Sequence, residues 1–146
     1  MNSYTALITG GNKGIGADLA KRLLIQGYRV ISMSRNPPKA IDKNLFSIEV
    51  DLLDEEALAL AAEEVAKVHK VTHLIHNAGL IWPNLIEETN SSDIIGLAQL
   101  HLGSALTLMK VVLPGMKERQ FGRVIFNGSR AALGVPTRTA YSATKA

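Results

Sequence analysis

The sequence has 146 residues, of which 47% are hydrophobic and 20% are charged, enough to bury the core of one compact domain. Its sixteen lysines and arginines leave a net charge of +3 and form no basic stripe interleaved with aromatic residues, so we expect no nucleic-acid partner. Because cysteine is absent, disulfides and thiolate-bound metals are excluded, and the four histidines lack the spacing of a metal site. With no run of 18 apolar residues and no secretory leader pattern, we expect a cytoplasmic protein without a membrane partner.

Short apolar runs alternate with stretches of helical periodicity along the chain. The runs predict strands over residues 5–9, 29–33, 46–50, 72–77 and 123–127, and the periodic stretches predict helices over about 14–26, 54–68 and 93–119. Strands that alternate with helices predict a parallel sheet with helices on both faces. The third run alternates apolar and polar side chains, as an edge strand does. Right-handed crossovers then favour the strand order 3-2-1-4-5 of a doubly wound, Rossmann-type α/β fold.

A glycine-rich loop joins the first predicted strand to the first predicted helix. Glycine permits positive φ angles and lets a pyrophosphate approach the backbone, and the free N–H groups at the start of a helix attract its negative charge. The sequence therefore predicts one dinucleotide-binding domain over residues 1–146; the alternative is a glycine-rich turn that binds no ligand. The loop residues predicted to bind the dinucleotide are Thr9, Gly10, Asn12, Lys13, Gly14, Ile15 and Gly16.

The glycine spacing resembles the TGxxxGxG motif of the short-chain dehydrogenase/reductase family, which Thr9, Gly10, Gly14 and Gly16 match in full. Further motifs similar to that family follow in the same order: Asp51-Leu52 after the third strand, Asn77-Ala78-Gly79 after the fourth, and Tyr141-Ser142-Ala143-Thr144-Lys145 near the end. The resemblance implies that Asp51 and Leu52 lie beside the adenine and that Asn77 braces the turn below the coenzyme. It also implies that Asn77, Ala78, Gly79, Tyr141 and Lys145 contribute to coenzyme binding. It also implies an oxidoreductase that transfers hydride between a nicotinamide and a small carbonyl or alcohol substrate. The 3-oxoacyl-thioester reductases have a similar motif spacing.

Basic residues at the expected ribose site favour NADP(H) over NAD. A Rossmann domain that binds NAD usually places an acid at the end of its second strand, where it binds the ribose 2′-hydroxyl. Here that place holds Ser34 and Arg35, with no acid before Asp42, and a guanidinium would bind a 2′-phosphate through charge-assisted hydrogen bonds. We expect Lys13 to reach the same phosphate. The alternative is that both cations are solvated surface residues.

Tyr141 and Lys145 lie four residues apart, so on a helix they share one face. A free tyrosine has a pKa of about 10, and a nearby ammonium favours the phenolate, which makes proton exchange possible near neutral pH. The resemblance implies that Tyr141 is the acid/base, that Lys145 tunes it and binds the coenzyme, and that Ser129 holds the substrate oxygen. The alternative for Tyr141 and Lys145 is that they are two exposed helix residues without a catalytic role. The alternative for Ser129 is that it is a turn serine bonded to the backbone.

His101 stands where many members of the similar family have an asparagine, which is thought to anchor a water in a proton relay to the lysine. A histidine can form a comparable hydrogen bond or shuttle a proton, so we include His101 among the predicted catalytic residues. The alternative is a helix histidine bonded to the backbone.

The chain stops one residue after Lys145, whereas related enzymes are longer, so we expect a Rossmann domain that lacks the C-terminal strands of the full fold. The apolar run Val124-Ile125-Phe126 then becomes an exposed sheet edge. The helix over 93–119 is apolar nearly all round, which favours a homo-oligomer paired through it; the alternative is that a C-terminal segment covers it instead. Two functions are open: an NADP(H)-dependent oxidoreductase, and a catalytically inactive dinucleotide-binding or interaction module.

Overall fold

The computed structural model describes residues 4–38 and 42–146. Within these residues, five strands form one parallel sheet: β1 (Thr5–Thr9), β2 (Arg29–Ser34), β3 (Leu45–Glu49), β4 (His73–His76) and β5 (Arg123–Phe126). The helices are α1 (Gly14–Ile25), α2 (Glu55–Val68), α3 (Ser91–Ala98), α4 (Ser104–Glu118) and α5 (Thr139–Lys145). The strand order is β3-β2-β1-β4-β5, which confirms the predicted doubly wound fold.

The two faces of the sheet carry separate hydrophobic clusters, because successive side chains of a strand point to opposite faces. On one face, Leu7 of β1 and Leu74 of β4 join a cluster that includes Leu58 of α2 and Leu108 of α4. On the other face, side chains from β1, β2 and β4 pack against Ala20 of α1. All five residues of β1 are buried, as expected for a central strand covered on both sides.

The two outer strands differ in character. In β3, Phe46 and Ile48 are half-buried while Ser47 and Glu49 are exposed, which confirms the predicted alternation of an edge strand. In the described part of the chain β5 pairs with β4 alone, and Ile125 and Phe126 leave 43% and 48% of their surface exposed. This apolar edge agrees with the expectation from the sequence.

The region predicted as one helix over 93–119 is helical from Ser91 to Glu118, but a π-helical turn at Gln99–Gly103 separates α3 from α4. The long helix that the sequence predicts is therefore present, and the π turn inside it is a feature that the periodicity did not predict. The backbone carbonyl of Leu100 instead accepts hydrogen bonds from Ser104 Oγ (2.7 Å) and His76 Nε2 (3.2 Å). A π turn adds one residue to the helix and shifts the side chains that follow it, and it frequently marks a functional position.

The same 28-residue stretch is long and apolar enough to cross a membrane, judged by length and composition alone. This is weak evidence, since the core helix of a soluble protein passes the same test. Here Leu108, Val112 and Met116 of α4 are buried in the cluster shared with α2 and the sheet. One side of α4 therefore packs in the core, while only 33% of the most apolar part of the stretch is buried.

The segment after β4 is held against α3. The six-membered ring of Trp82 packs so closely on Gly96 that a Cβ there would lie 2.9 Å from the ring. Asn84 also forms an isolated parallel bridge with Arg138, just before α5. The segment is thereby fixed between α3 and the helix that carries Tyr141 and Lys145.

Candidate active site

A cavity of about 460 Å³ opens at the carboxyl ends of the strands, next to the β1–β4 boundary where the strand order reverses. In open α/β sheets, ligands bind in this crevice. The predicted residues that line it are Gly10, Asn12, Lys13, Gly14, Ile15, Arg35, Asp51, Leu52, Asn77, Ala78, Gly79, Tyr141 and Lys145. One cavity thus brings together motifs that are spread over most of the sequence.

The glycine loop has the backbone geometry that its residues predict. Gly10 and Gly14 adopt φ angles of 67° and 53°, which side chains disfavour. Gly16 is buried, and a Cβ there would overlap the carbonyl oxygen of Gly10 and lie 2.6 Å from Asn77 Nδ2. The N-cap of α1, Lys13, makes no side-chain cap, so the first amide groups of the helix keep their capacity to bind an anion.

The hydroxyl of Thr9 links β1 to β4 below the cavity. Thr9 Oγ1 accepts hydrogen bonds from the backbone N–H groups of Asn77 and Ala78, each at 3.0 Å. Because both acceptor positions are then used, its single proton points to His76 Nδ1, also at 3.0 Å. His76 must therefore donate from Nε2 to Leu100 O, and burial followed by the charge of Lys145 lowers the pKa of His76 to about 4.

A chain of polar contacts joins the coenzyme motif to the predicted catalytic lysine. Asn77 Nδ2 donates to the carbonyls of Thr9 (3.2 Å) and Gly10 (3.3 Å), and its Oδ1 accepts from Asn127 Nδ2 (2.9 Å). The backbone carbonyl of Asn127 in turn accepts from Lys145 Nζ at 3.0 Å. Burial lowers the pKa of Lys145. The ends of β4 and β5 therefore fix the position of the ammonium group.

His101 lies beside the predicted catalytic pair. Its ring meets the Tyr141 ring edge to face with centroids 5.4 Å apart, and its Nδ1 lies 2.8 Å from Thr144 Oγ1. Only 2% of the residue is exposed, and its pKa is lowered to about 4 by burial and by the charges of Lys145 and His76. The sequence left open that His101 is a helix histidine bonded to the backbone. In the structure the partner of Nδ1 is instead a side-chain hydroxyl, that of Thr144.

The end of β2 presents polar groups to the cavity. Ser34 and Arg35 both line it, and Arg35 is exposed. Ser34 is buried, and its Oγ has no hydrogen-bond partner within the described residues. An unpaired buried hydroxyl is costly unless a ligand satisfies it, so this end of the cavity suits a polar ligand group.

Four predicted site residues lie outside the cavity lining. Thr9 and Gly16 are buried behind it and shape the loop, and His101 is buried in contact with Thr144 of α5. Ser129 begins the 3-10 turn at Arg130–Leu133, where its Oγ accepts from the N–H of Ala131 at 3.1 Å. The backbone thus uses one acceptor position of this hydroxyl, while its proton is still available to a substrate oxygen.

Among the polar residues at or next to the cavity that the sequence reasoning did not assign to the site are Ser34, Asn127 and Thr144. Asn127 follows β5 directly, and the rule that ligand-facing groups lie at the carboxyl ends of parallel strands could have identified it. Thr144 lies inside the Tyr141–Lys145 motif, but no sequence signal pairs it with His101, which is 43 residues away.

The fold and the cavity define a Rossmann-type α/β protein. The family model described as short chain dehydrogenase matches residues 4–146. The chain therefore belongs to the short-chain dehydrogenase/reductase family, as its motifs predicted.

Known relatives agree with this assignment. The 3-oxoacyl-[acyl-carrier-protein] reductase FabG of Buchnera aphidicola is 31% identical, over 99% of this chain and 63% of its own length. Among solved structures, a short-chain dehydrogenase from Streptomyces avermitilis has a TM-score of 0.91 and 30% identity, over 99% of this chain and 56% of its own. ElxO, solved with bound NADP, has a TM-score of 0.84 and 28% identity, over 98% of this chain and 62% of its own. The chain thus spans about three fifths of the length of these relatives.

Proposed function

We propose that this chain is the coenzyme-binding domain, over residues 1–146, of an NADP(H)-dependent oxidoreductase that acts on a carbonyl or alcohol substrate. The observation that carries the proposal is the single cavity of about 460 Å³ that the glycine loop, the end of β2, the Asn77-Ala78-Gly79 turn and the Tyr141–Lys145 helix line together. A glycine-rich turn without a ligand would not require the other three segments to meet it.

The chemistry of the cavity fits a dinucleotide with a 2′-phosphate. The uncapped amide groups of α1 suit the pyrophosphate, and Asp51 and Leu52 border the place expected for the adenosine. Lys13 and Arg35 supply two positive charges, and the unpartnered hydroxyl of Ser34 supplies a donor. In the described part of the β2–β3 connection the first acid is Asp42, which does not line the cavity.

Three side chains are proposed to carry the acid–base chemistry, while the nicotinamide supplies the hydride. Tyr141 gives a proton to the substrate carbonyl oxygen, or takes it from the alcohol in the reverse direction. Lys145, held by Asn127 O, places a positive charge beside it and binds the coenzyme ribose. Ser129 uses its free proton to hold the substrate oxygen. The similarity to FabG makes 3-oxoacyl thioesters the first substrates to test.

The coenzyme preference is tested by calorimetric titration of the chain with NADPH and NADH. One charge-assisted hydrogen bond at an exposed site contributes about 1.5 kcal/mol, so R35A and K13A should each weaken NADPH binding about tenfold and leave NADH binding unchanged. K21A, on the exposed part of α1 and outside the cavity, is the matched control and should alter neither. Equal losses for both coenzymes, or none, would refute the assignment of the 2′-phosphate site.

A second function, dinucleotide binding without turnover, is favoured by one observation. Ser129 lies outside the cavity lining, and its Oγ already accepts a bond from the backbone. Single-turnover oxidation of NADPH in the presence of a 3-oxoacyl thioester separates the two functions. Oxidation that Y141F abolishes supports the oxidoreductase, and NADPH binding without oxidation supports the binding module.

We also propose that two copies of the chain pair through the region over 93–119. Ile94 and Ile95 of α3, Leu102 of the π turn and Leu106 of α4 are apolar, and each leaves 41% to 68% of its surface exposed. A row of apolar side chains on one helical region is a candidate contact between proteins.

A further inference from the structure

His101 is buried in the π-helical turn, and its two ring nitrogens have different surroundings. Nδ1 lies 2.8 Å from the hydroxyl of Thr144, a residue of α5. Nε2 is buried and has no hydrogen-bond partner among the residues that the structure describes. The position of the ring proton therefore decides which nitrogen donates a hydrogen bond and which one can accept a proton.

The hydroxyl of Thr144 determines whether Nδ1 carries the ring proton. Thr144 Oγ1 lies 3.0 Å from the carbonyl oxygen of Ala140 and 3.2 Å from that of Tyr141, and both oxygens can only accept. The hydroxyl has one proton, which points to these carbonyls one turn back in α5. Its lone pairs are then left for His101, so Nδ1 must bring the proton to the 2.8 Å contact.

The surroundings of Nε2 lead to the same assignment independently. A Cβ on Gly79 would lie 3.2 Å from His101 Nε2 and 3.7 Å from Lys145 Nζ, so the two nitrogens border the same small space. An N–H at Nε2 would add a second positive end to the space that the ammonium group borders, whereas a lone pair there is favoured by that charge. The other titratable groups near the ring are Tyr141 of α5 and His76 of β4. His76 is neutral through its own pair of hydrogen bonds.

We propose that Thr144 is a positioning residue, which holds His101 as the neutral Nδ1–H tautomer and so leaves the lone pair of Nε2 at the space that this nitrogen shares with Lys145. This inference deepens the proposed function and rests on it for its catalytic meaning, but the tautomer itself does not depend on turnover. The π turn contributes by placing the ring between Gly79 and α5.

This arrangement gives Lys145 a nearby proton acceptor. When the alcohol is oxidised, the proton that Tyr141 takes up passes to Lys145, which releases one of its own protons, and the lone pair of Nε2 can accept that released proton. When the carbonyl is reduced, the same proton returns from the protonated ring to Lys145 as Lys145 reprotonates Tyr141. In the other tautomer, Nε2–H would offer no acceptor there. Thr144 would then affect the pH dependence of proton transfer without touching substrate or coenzyme.

The test is a long-range ¹H–¹⁵N correlation spectrum of the chain labelled with ¹⁵N-histidine, recorded near pH 7. For His101, assigned through the backbone or by its loss in H101Q, we expect a protonated Nδ1 and an unprotonated Nε2. T144V is close in shape but has no hydroxyl, and it should shift the tautomer ratio about fivefold toward Nε2–H, which corresponds to about 1 kcal/mol for one neutral hydrogen bond. T144S keeps the hydroxyl and should restore the wild-type spectrum.

The outcomes separate this inference from the proposed function. A wild-type spectrum with a protonated Nε2 overturns the inference, as does T144V with an unchanged tautomer ratio. If T144V does not fold, the wild-type and T144S spectra still decide. If the chain oxidises NADPH, T144V should also shift the pH profile of kcat while KM stays near its wild-type value. A chain with the expected tautomer but no turnover would refute the oxidoreductase alone.

Discussion

Replacing Thr9 by valine removes one hydroxyl that holds three groups in place. The side chain keeps its shape and its burial, since Thr9 has no exposed surface. The N–H groups of Asn77 and Ala78 and the Nδ1 atom of His76 each lose a partner at 3.0 Å. T9V therefore isolates the hydrogen bonds from the packing.

The size of the effect follows from these three contacts. A buried polar group left without a partner costs about 1–3 kcal/mol, and the two amides are only partly buried, so about 1 kcal/mol each is reasonable. Together with the imidazole nitrogen, T9V should lower the free energy of unfolding by about 3 kcal/mol. T9S is the matched control: it keeps the hydroxyl, loses one methyl group and should cost about 1 kcal/mol.

Urea unfolding of the wild-type chain, T9V and T9S, followed by circular dichroism, measures these differences. We expect T9V to unfold at clearly lower urea than T9S, with similar slopes for all three proteins. A T9V variant as stable as T9S would show that the hydroxyl does not stabilise the Asn77-Ala78-Gly79 turn. The assignment of three hydrogen bonds to Thr9 Oγ1 would then be wrong.

Three further predictions follow from the same structure. G16A should abolish NADPH binding in a calorimetric titration, because a Cβ at Gly16 overlaps a loop carbonyl; unchanged affinity would contradict the close contact. His76 has its pKa lowered from 6.5 to about 4, so the unfolded chain binds more protons between these values and stability falls as the pH drops through them. From pH 7 to 5, this histidine should cost about 2 kcal/mol in urea unfolding, and H76Q should show a smaller loss than the wild type. L106K should convert a dimer to a monomer in light scattering, whereas L60K on α2, a similarly exposed leucine, should not.

The sequence predicted the framework of the fold because that framework depends on local patterns. Apolar runs placed the five strands within one or two residues of their observed ends, and the alternation around Phe46 identified the edge strand. The glycine loop was predictable for the same reason, since its positive φ angles and close contacts require glycine at fixed spacings.

What the sequence did not predict depends on contacts between distant residues. The π turn at Gln99–Gly103 occurs where the Leu100 carbonyl bonds to two side chains, one of them His76 on a strand 24 residues earlier. The link between Thr9 and His76 spans 67 residues, and that between His101 and Thr144 spans 43. Helical periodicity gives no information on such pairs, because each partner fits its own element without the other.

The packing of Trp82 on Gly96 has a practical consequence. The sequence contains one tryptophan, and it lies in the segment that leads from the Asn77-Ala78-Gly79 turn to α3. Its emission therefore comes from a single environment. Any ligand that displaces this segment from α3 should change the colour and intensity of the emitted light, so the protein carries its own fluorescent reporter for movement at the mouth of the crevice.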